Sequence, residues 1–332
     1  MSQETLSKQG EDGRSFEPIH PRPATATSGR PPRKASSELA RRLLTAVVLI
    51  PAVIYIIVQG GILYLATVVV VVMLGQREFY RLIEEKGAHP IWGMGLGFGA
   101  ALPIVSYVGN EYHATLLLTA SLLGLMVAQL RKAQITEALA SISGTFFGVF
   151  YVGWLLSHTV VLRYFYEAAI SHYDAAGVLS IGLAPGSGIF FMVYALAAVI
   201  ACDAGAYFAG RAYGKRKLAP RVSPGKTVEG ALGGIVVGTL GGLAAKGVFD
   251  VFWPDLSVAF PWSVTIAFGI VLSLVGIVGD LVESLLKRDA AMKDTGALLP
   301  GMGGVLDRID SPLLGVPVMY YLLLGYLFVR IG

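Results

Sequence analysis

One segment of the chain, residues 280–311, combines acids and bases at spacings that suit chemistry on phosphates. Two groups of its residues would each share one face of a helix: Asp280, Glu283, Ser284 and Lys287, and then Asp307 and Asp310. Carboxylates bind hard cations such as Mg²⁺ through oxygen, and basic side chains neutralise phosphate. Both kinds together favour a metal–phosphate site over the alternative, a loop of ordinary surface ion pairs.

A second segment, 203–229, carries a smaller polar set. The run from Ser223 to Thr227, which contains Lys226, offers hydroxyls, loop amides and a lysine, all of which bind phosphate. Asp203 lies near the end of an apolar run, where a carboxylate is costly. It either pairs with Arg211 or Lys215 or faces a ligand, and the sequence leaves both interpretations open.

Cysteine and histidine add little to this chemistry. Cys202 is the one cysteine in the chain, which excludes an internal disulfide and a cysteine-rich zinc site. All five histidines lie outside the two polar segments, which argues against a histidine metal centre there: His20, His89, His113, His158 and His172.

The elements that must position these residues are membrane helices. Hydrophobic residues make up 55% of the 332, and charged residues only 14%, against about 25% in a soluble domain. Nine apolar segments are candidates to cross a bilayer: 43–58, 61–75, 91–108, 114–130, 142–163, 188–209, 230–249, 259–280 and 312–331. The fold class is therefore predicted to be all-α, a polytopic integral membrane protein with about nine transmembrane helices.

The basic residues predict the orientation. Of the 26 lysines and arginines, all but Arg163, Lys246 and Arg330 fall on the side that nine spans would give to the N-terminus. The positive-inside rule then puts the N-terminus in the cytoplasm and the C-terminus outside. Both polar segments become cytoplasmic.

Three regions follow along the chain. Residues 1–37 are rich in proline and polar residues and are predicted to be a disordered cytoplasmic tail. Residues 38–187 are predicted to form N-terminal transmembrane helices, and 188–332 a catalytic transmembrane domain that carries both polar segments. In the latter, Gly230, Gly234, Gly238 and Gly242 recur every fourth residue, which predicts one closely packed helix face.

The run from Ser284 to Asp310, SLLKRDAAMKDTGALLPGMGGVLDRID, resembles the signature of phosphatidate cytidylyltransferases, also called CDP-diacylglycerol synthases. The resemblance covers about 188–332, since Asp203 and the 223–227 element come in the expected order. Two positions depart from the family pattern: Met302 replaces a histidine and Gly225 replaces a lysine. Because a phosphate monoester is already largely dianionic at pH 7, no base is needed at 302, and methionine there is compatible with activity.

The resemblance implies transfer of a cytidylyl group from CTP to phosphatidate, with Mg²⁺ and room for a second cation. The metal ligands that it implies are Asp280, Asp307, Asp310 and Asp203. The implied catalytic residues are Lys226, Lys293, Asp294 and Arg308. The implied substrate-binding residues are Ser223, Thr227, Ser284, Lys287, Arg288, Gly303 and Gly304. It also implies a homodimer in the lipid bilayer of a bacterial inner membrane, with the site facing the cytoplasm, and no nucleic-acid partner.

Two other functions stay open from the sequence. A CTP-dependent lipid kinase would transfer the γ-phosphoryl group to a polyprenol or a similar alcohol. A secondary transporter is favoured only by Asp203 and the glycine-rich helices, since transporters place acids near the membrane midplane, whereas these acids cluster near one face.

Overall fold

The computed structural model of the chain describes residues 35–109, 111–132, 136–296, 298 and 303–331, with side chains from residue 47 onwards except at 111. The predicted tail, up to residue 34, lies outside the described residues. Helix α1 already begins at residue 35, within the stretch that the sequence assigns to the tail. Met302 also falls outside the described residues.

Thirteen α-helices account for most of the described chain. They are α1 (Ala35–Gln59), α2 (Gly61–Glu85), α3 (Trp92–Val108), α4 (Glu111–Leu130), α5 (Ala138–Gly148), α6 (Leu155–Arg163), α7 (Phe165–His172), α8 (Ala175–Ser180), α9 (Ser187–Tyr213), α10 (Val228–Phe252), α11 (Pro254–Ser257), α12 (Trp262–Asp289) and α13 (Leu306–Ile331). A π-helical turn, Val149–Trp154, joins α5 to α6. Between α9 and α10, β1 (Lys217–Ala219) and β2 (Ser223–Thr227) form an antiparallel hairpin, with Lys217 opposite Thr227.

Seven of the described helices are long and apolar enough to cross a membrane. They are Gly61–Glu85, Tyr112–Leu130, Ala138–Arg163, Ser187–Tyr213, Val228–Phe252, Trp262–Asp289 and Leu306–Ile331. Two further predicted spans coincide with shorter apolar helices, Val47–Gln59 and Trp92–Val108. The predicted all-α membrane fold is thus confirmed, while the count of nine spans and the side on which each terminus lies stay predictions.

Three helices extend past the predicted apolar segments into the polar ones. Helix α2 runs to Glu85 instead of 75, α12 runs to Asp289 instead of 280, and α13 begins at Leu306 instead of 312. Pro312 therefore lies inside α13 and not in its first turn. A proline inside a helix has no backbone N–H, so one hydrogen bond of the helix is missing there. The longer α12 and α13 therefore hold the charged residues that were predicted to share helix faces. These are Asp280, Glu283 and Lys287 on α12, and Asp307 and Asp310 on α13.

Contacts between helix ends define two ends of the bundle. At the polar end, Lys86 after α2 forms an ion pair of 2.9 Å with Asp289 of α12. At the opposite end, the Arg163 side chain donates to the Ile57 carbonyl oxygen at 2.6 Å, and Tyr326 donates to that of Ala259 at 3.0 Å. Helices α2 and α12 therefore end at the polar end, and α1, α6 and α13 end at the opposite one.

Close packing of α9 and α10 accounts for the glycine stripe. Gly230, Gly234, Gly238 and Gly242 are all buried. A Cβ added at Gly230 would lie 2.8 Å from the Ala206 carbonyl oxygen, and one at Gly238 would lie 2.8 Å from that of Ala198. The prediction of one packed helix face is confirmed, and this packing fixes the start of α10 against the end of α9.

Candidate active site

Three carboxylates converge at the polar end of the bundle, from Asp280 and Glu283 on α12 and Asp310 on α13. One carboxylate oxygen of each lies within 4.8 Å of the others. The helices approach closely here because Gly279 has no side chain: a Cβ added there would lie 2.6 Å from the Asp310 carbonyl oxygen. Three like charges at this distance repel unless a cation compensates them, and oxygen ligands of this kind suit a hard divalent cation.

Two lysines compensate part of this charge. The Lys226 Nζ lies 2.6 Å from an Asp280 carboxylate oxygen. The Lys287 Nζ lies 2.6 Å from Glu283 and 2.8 Å from Asp307. If all these groups are ionised, the acids outnumber the two lysines, so the group keeps a negative charge that a divalent cation would offset. The residues therefore fit the predicted cation.

Asp307, a predicted metal ligand, is not part of the three-carboxylate group. One of its oxygens accepts from Lys287, and the other accepts from the backbone amides of Thr295 at 3.0 Å and Gly304 at 2.8 Å. Gly303 has φ +86, and a Cβ there would lie 2.7 Å from Asp307 Oδ2. Asp307 thus anchors the loop before α13 through the loop amides and Lys287, and its role as a metal ligand stays a prediction. Glu283 supplies the third carboxylate instead.

Asp203 faces a cavity next to the carboxylates. Its Oδ1 accepts a hydrogen bond of 3.2 Å from the Ser311 hydroxyl. Among the described residues it forms no ion pair with Arg211 or Lys215, and the Arg211 guanidinium donates to the Tyr207 hydroxyl instead. The structure thus does not show the predicted ion pair, and the alternative, that Asp203 faces a ligand, stays a prediction.

The cavity has a volume of about 460 Å³ and lies between α9, α10, α12 and the hairpin. Its polar lining residues are Asp203, Tyr207, Arg211, Ser223, Lys226, Thr227 and Asp280. The Thr227 hydroxyl accepts from the Gly230 amide at 3.1 Å and so caps α10. A side chain at Gly225 would meet nothing within 4 Å, so the missing lysine of the family pattern leaves this rim open.

The structure does not bring every predicted residue into this cavity. Gly304 is buried among the loop contacts, and Lys287 and Ser284 are half-buried on α12. Four other predicted residues are exposed, and their side chains form no ion pair or hydrogen bond with another described residue: Arg288, Lys293, Asp294 and Arg308. Direct contact of these residues with the reacting atoms stays a prediction.

Glu78 on α2 is a site residue that the sequence interpretation missed. Its carboxylate is 5% exposed, and its Oε2 accepts from the Leu306 amide at 2.8 Å and the Thr295 hydroxyl at 3.2 Å. Through Thr295 and Leu306, it thereby connects the loop between α12 and α13 to the N-terminal half of the chain. One sign of this role was visible in the sequence, a carboxylate three residues after the apolar segment 61–75. The predicted span ended before Glu78, so its burial was not expected.

We expect Glu78→Gln to lower the free energy of unfolding by about 2 kcal/mol, because charge-assisted hydrogen bonds to two loop groups weaken. Thermal unfolding of the purified protein in detergent measures this. Glu85→Gln, an exposed carboxylate at the end of the same helix, is the matched control and should change little. Equal melting temperatures for the two variants would contradict the anchoring role.

Comparisons with known proteins show which family the chain resembles. Residues 40–326 match the model of the cytidylyltransferase family. The chain is 34% identical to a phosphatidate cytidylyltransferase of Synechocystis sp. over 262 residues, which cover 75% of this chain and 84% of that protein. It is 41% identical over 153 residues to one from Haemophilus influenzae, covering 44% of this chain, and 43% identical over 136 residues to one from Bacillus subtilis, covering 41% of it. These two alignments span only about half of each relative, 51% and 48%.

Proposed function

The chain belongs to the cytidylyltransferase family, and on this premise we propose that it transfers a cytidylyl group from CTP to phosphatidate. The products are CDP-diacylglycerol and pyrophosphate. The observation that carries the proposal is the group of Asp280, Glu283 and Asp310 beside Lys226, at the edge of a cavity among membrane helices. Such a group suits phosphoryl chemistry at a bilayer surface, where a water-soluble nucleotide and a lipid headgroup meet.

The reaction is a displacement at the α-phosphorus of CTP. An oxygen of the lipid phosphate forms a bond to that phosphorus, and the bond from phosphorus to the oxygen that bridges to pyrophosphate breaks. No base is required, since a phosphate monoester with a second pKa of about 6 is largely dianionic at pH 7. Catalysis then depends on positioning and on neutralising negative charge.

The residues of this chain divide that work. Lys226 lines the cavity beside Asp280, where its ammonium can neutralise a phosphate of CTP or of the lipid. The Ser223 hydroxyl and the Arg211 guanidinium line the same cavity and offer further donors. A divalent cation such as Mg²⁺, held by Asp280, Glu283 and Asp310, would neutralise the charge that builds on the phosphoryl oxygens. A second cation stays a prediction.

A lipid substrate fits the surroundings of the cavity. Apolar residues complete its lining, among them Ala231 and Ile277, and the adjoining faces of α9 and α10 expose apolar side chains such as Phe208 and Leu232. Acyl chains could therefore extend along these helices while the headgroup reaches Lys226. This arrangement supports phosphatidate over a free sugar or amino-acid substrate.

The test is pyrophosphate release by the purified protein with CTP, phosphatidate and Mg²⁺. We expect release only when all three are present. Diacylglycerol, which lacks the phosphate, is the matched control for the lipid and should give none. Release from CTP and Mg²⁺ without phosphatidate, or with diacylglycerol in its place, would contradict the proposal.

We also propose that the polar end of the bundle faces the cytoplasm of a bacterial inner membrane, with nine spans. Most basic residues fall at this end, which the positive-inside rule assigns to the cytoplasm, and CTP is available there. The homodimer that the resemblance implies stays a prediction. The molecular mass of the detergent-solubilised protein would test it.

Cysteine labelling tests this topology. In a Cys202→Ser background, Arg221→Cys in the hairpin should react with a membrane-impermeant maleimide only in inside-out vesicles. Asp255→Cys, at the opposite end, should react only in right-side-out vesicles, and both positions are exposed. Labelling of both cysteines from the same side would contradict the alternating spans.

A further inference from the structure

The hairpin between α9 and α10 forms one wall of the cavity. Leu218 of β1 and Ser223 and Lys226 of β2 line the cavity, and Ala219 pairs with Ser223 across the two strands. A two-stranded hairpin on its own is only marginally stable in water. The place of Ser223 and Lys226 at the cavity therefore depends on how the hairpin is attached to the bundle.

The two strands of the hairpin are attached differently. Strand β2 runs directly into α10, where the Thr227 hydroxyl caps the helix, and Lys226 forms the ion pair with Asp280. Strand β1 follows α9 through the connecting residues 214–216, which are exposed to solvent. The attachment of β1 therefore depends on the contacts of this connection with the bundle.

Glu229, in the first turn of α10, holds this connection. Its Oε2 accepts from the backbone amides of Lys215 at 2.9 Å and Arg216 at 3.1 Å, and its Oε1 accepts from the Arg216 Nε at 3.1 Å. Next to it, the Val228 amide donates to the Arg216 carbonyl oxygen at 2.9 Å. A charged acceptor forms stronger hydrogen bonds than a neutral one, and a carboxylate is favourable at a helix N-terminus. Glu229 thus ties the start of β1 to the start of α10.

Glu229 itself does not line the cavity. The described residues that do so include Gly230 and Ala231, which follow it on α10, but not Glu229. Both of its carboxylate oxygens accept from the connection before β1 instead. An effect of Glu229 on substrate binding would therefore pass through the hairpin.

The hairpin bounds the cavity on its aqueous side. The charged residues Lys217 and Arg221 of the hairpin are exposed, whereas the exposed side chains on the adjoining faces of α9 and α10, such as Phe208 and Leu232, are apolar. Charged side chains are costly in the bilayer core, and apolar ones suit acyl chains. A water-soluble nucleotide would therefore approach past the hairpin, and a lipid along the helices.

We propose that Glu229 is a positioning residue that holds the hairpin in place for binding of the nucleotide. The part of this inference that concerns CTP rests on the proposed function. Without the carboxylate, the hairpin spends a smaller fraction of the time in the arrangement that binds CTP, and the apparent affinity falls by that fraction. Once CTP is bound, Ser223 and Lys226 are back in place, so the rate of the bound complex changes little.

The test replaces Glu229 by glutamine, which keeps the size of the side chain but offers one acceptor oxygen and an NH₂ group that faces donors. In Glu229→Gln, we expect the KM for CTP to rise about tenfold while kcat stays within about threefold. The KM for phosphatidate and the binding of Mn²⁺ should also stay within about threefold, because the helices that would hold them are unchanged. A lower kcat with an unchanged KM for CTP would overturn the inference.

Arg216→Gln is the matched control. It removes the guanidinium bond to Glu229 but leaves both backbone amide bonds, and the Arg216 side chain is 73% exposed. Exposed ion pairs contribute little, so the KM for CTP should stay within about twofold. An equal rise of this KM in Arg216→Gln and Glu229→Gln would overturn the inference, because the exposed charge pair and not the hold on the backbone would then matter.

A distance measurement follows the hairpin without substrate. Nitroxide labels are placed in a Cys202→Ser background at Arg221→Cys in the hairpin and at Glu85→Cys at the end of α2, both of which are exposed positions. The distances between the labels, from double electron–electron resonance, should spread over a wider range in Glu229→Gln and stay as before in Arg216→Gln. An unchanged distribution in Glu229→Gln would overturn the inference, whatever the KM.

This readout separates the inference from the proposed function. If the unaltered protein transfers no cytidylyl groups, the proposed function fails, and the distance distribution alone decides whether Glu229 holds the hairpin. If the unaltered protein transfers them and Glu229→Gln widens the distribution without raising the KM for CTP, the inference fails and the proposed function stands.

Discussion

Replacing Asp310 by asparagine is expected to lower the rate of cytidylyl transfer by about 10³-fold, while the protein stays folded. Asp310 is the member of the three-carboxylate group that neither lysine contacts, so its change leaves both described lysine pairs intact. The loss removes charge that would hold the cation against the phosphates, and electrostatic groups of this kind contribute about 10²–10³-fold each. Initial rates at saturating CTP and phosphatidate measure it.

Stability separates this role from a structural one. Because Asp310→Asn relieves repulsion among three close carboxylates, its melting temperature without added cation should equal or exceed that of the unaltered protein. Asp289→Asn, an exposed acid at the same end, is the control and should keep nearly full activity. Full activity of Asp310→Asn, or loss of activity only through unfolding, would contradict the assignment.

Asp307→Asn is expected to act mainly on stability, with a decrease of about 3 kcal/mol in the free energy of unfolding. Its carboxylate is 5% exposed and pairs with Lys287, which is itself only 14% exposed. The asparagine leaves that lysine with one partner and weakens the hold on the Thr295 and Gly304 amides. Thermal or chemical unfolding in detergent measures the change.

Cation binding distinguishes Asp307 from the three-carboxylate group. The folded fraction of Asp307→Asn should bind Mn²⁺ within about threefold of the unaltered protein, whereas Asp310→Asn should lose at least about tenfold. If Asp307→Asn lost Mn²⁺ binding without any change in melting temperature, Asp307 would be a ligand, as the family resemblance implied.

Much of the fold follows from the sequence, because a long apolar run is stable in the bilayer core, where its backbone polar groups must bond one another in a helix. Each of the nine apolar segments lies almost entirely on helical backbone, and the glycine stripe of α10 packs as its four-residue spacing predicts. The helix ends were predicted less well. Hydropathy marks where the bilayer core ends, whereas the backbone of α2 and α12 stays helical through the charged residues that follow.

The site was predictable in composition but not in partners. Helical spacing puts Asp307 and Asp310 near one face, yet three residues still turn the side chains apart, so Asp310 meets α12 while Asp307 meets the loop. Spacing also puts Glu283 beside Asp280, but only the approach of α13 at Gly279 makes Glu283 the third carboxylate. Glu78 could not be found in this way, because it comes from the other half of the chain.

The most direct test of cytidylyl transfer follows the phosphorus atoms of CTP. The purified protein is incubated with a mixture of phosphatidate and a polyprenol, Mg²⁺ and CTP labelled at either the α- or the γ-phosphorus, and the lipid products are separated by thin-layer chromatography. The account predicts that the α-label enters the lipid and the γ-label leaves in pyrophosphate, and that Asp310→Asn transfers neither. Transfer of the γ-label to the lipid, with the α-label left in CDP, would identify a lipid kinase and contradict the account.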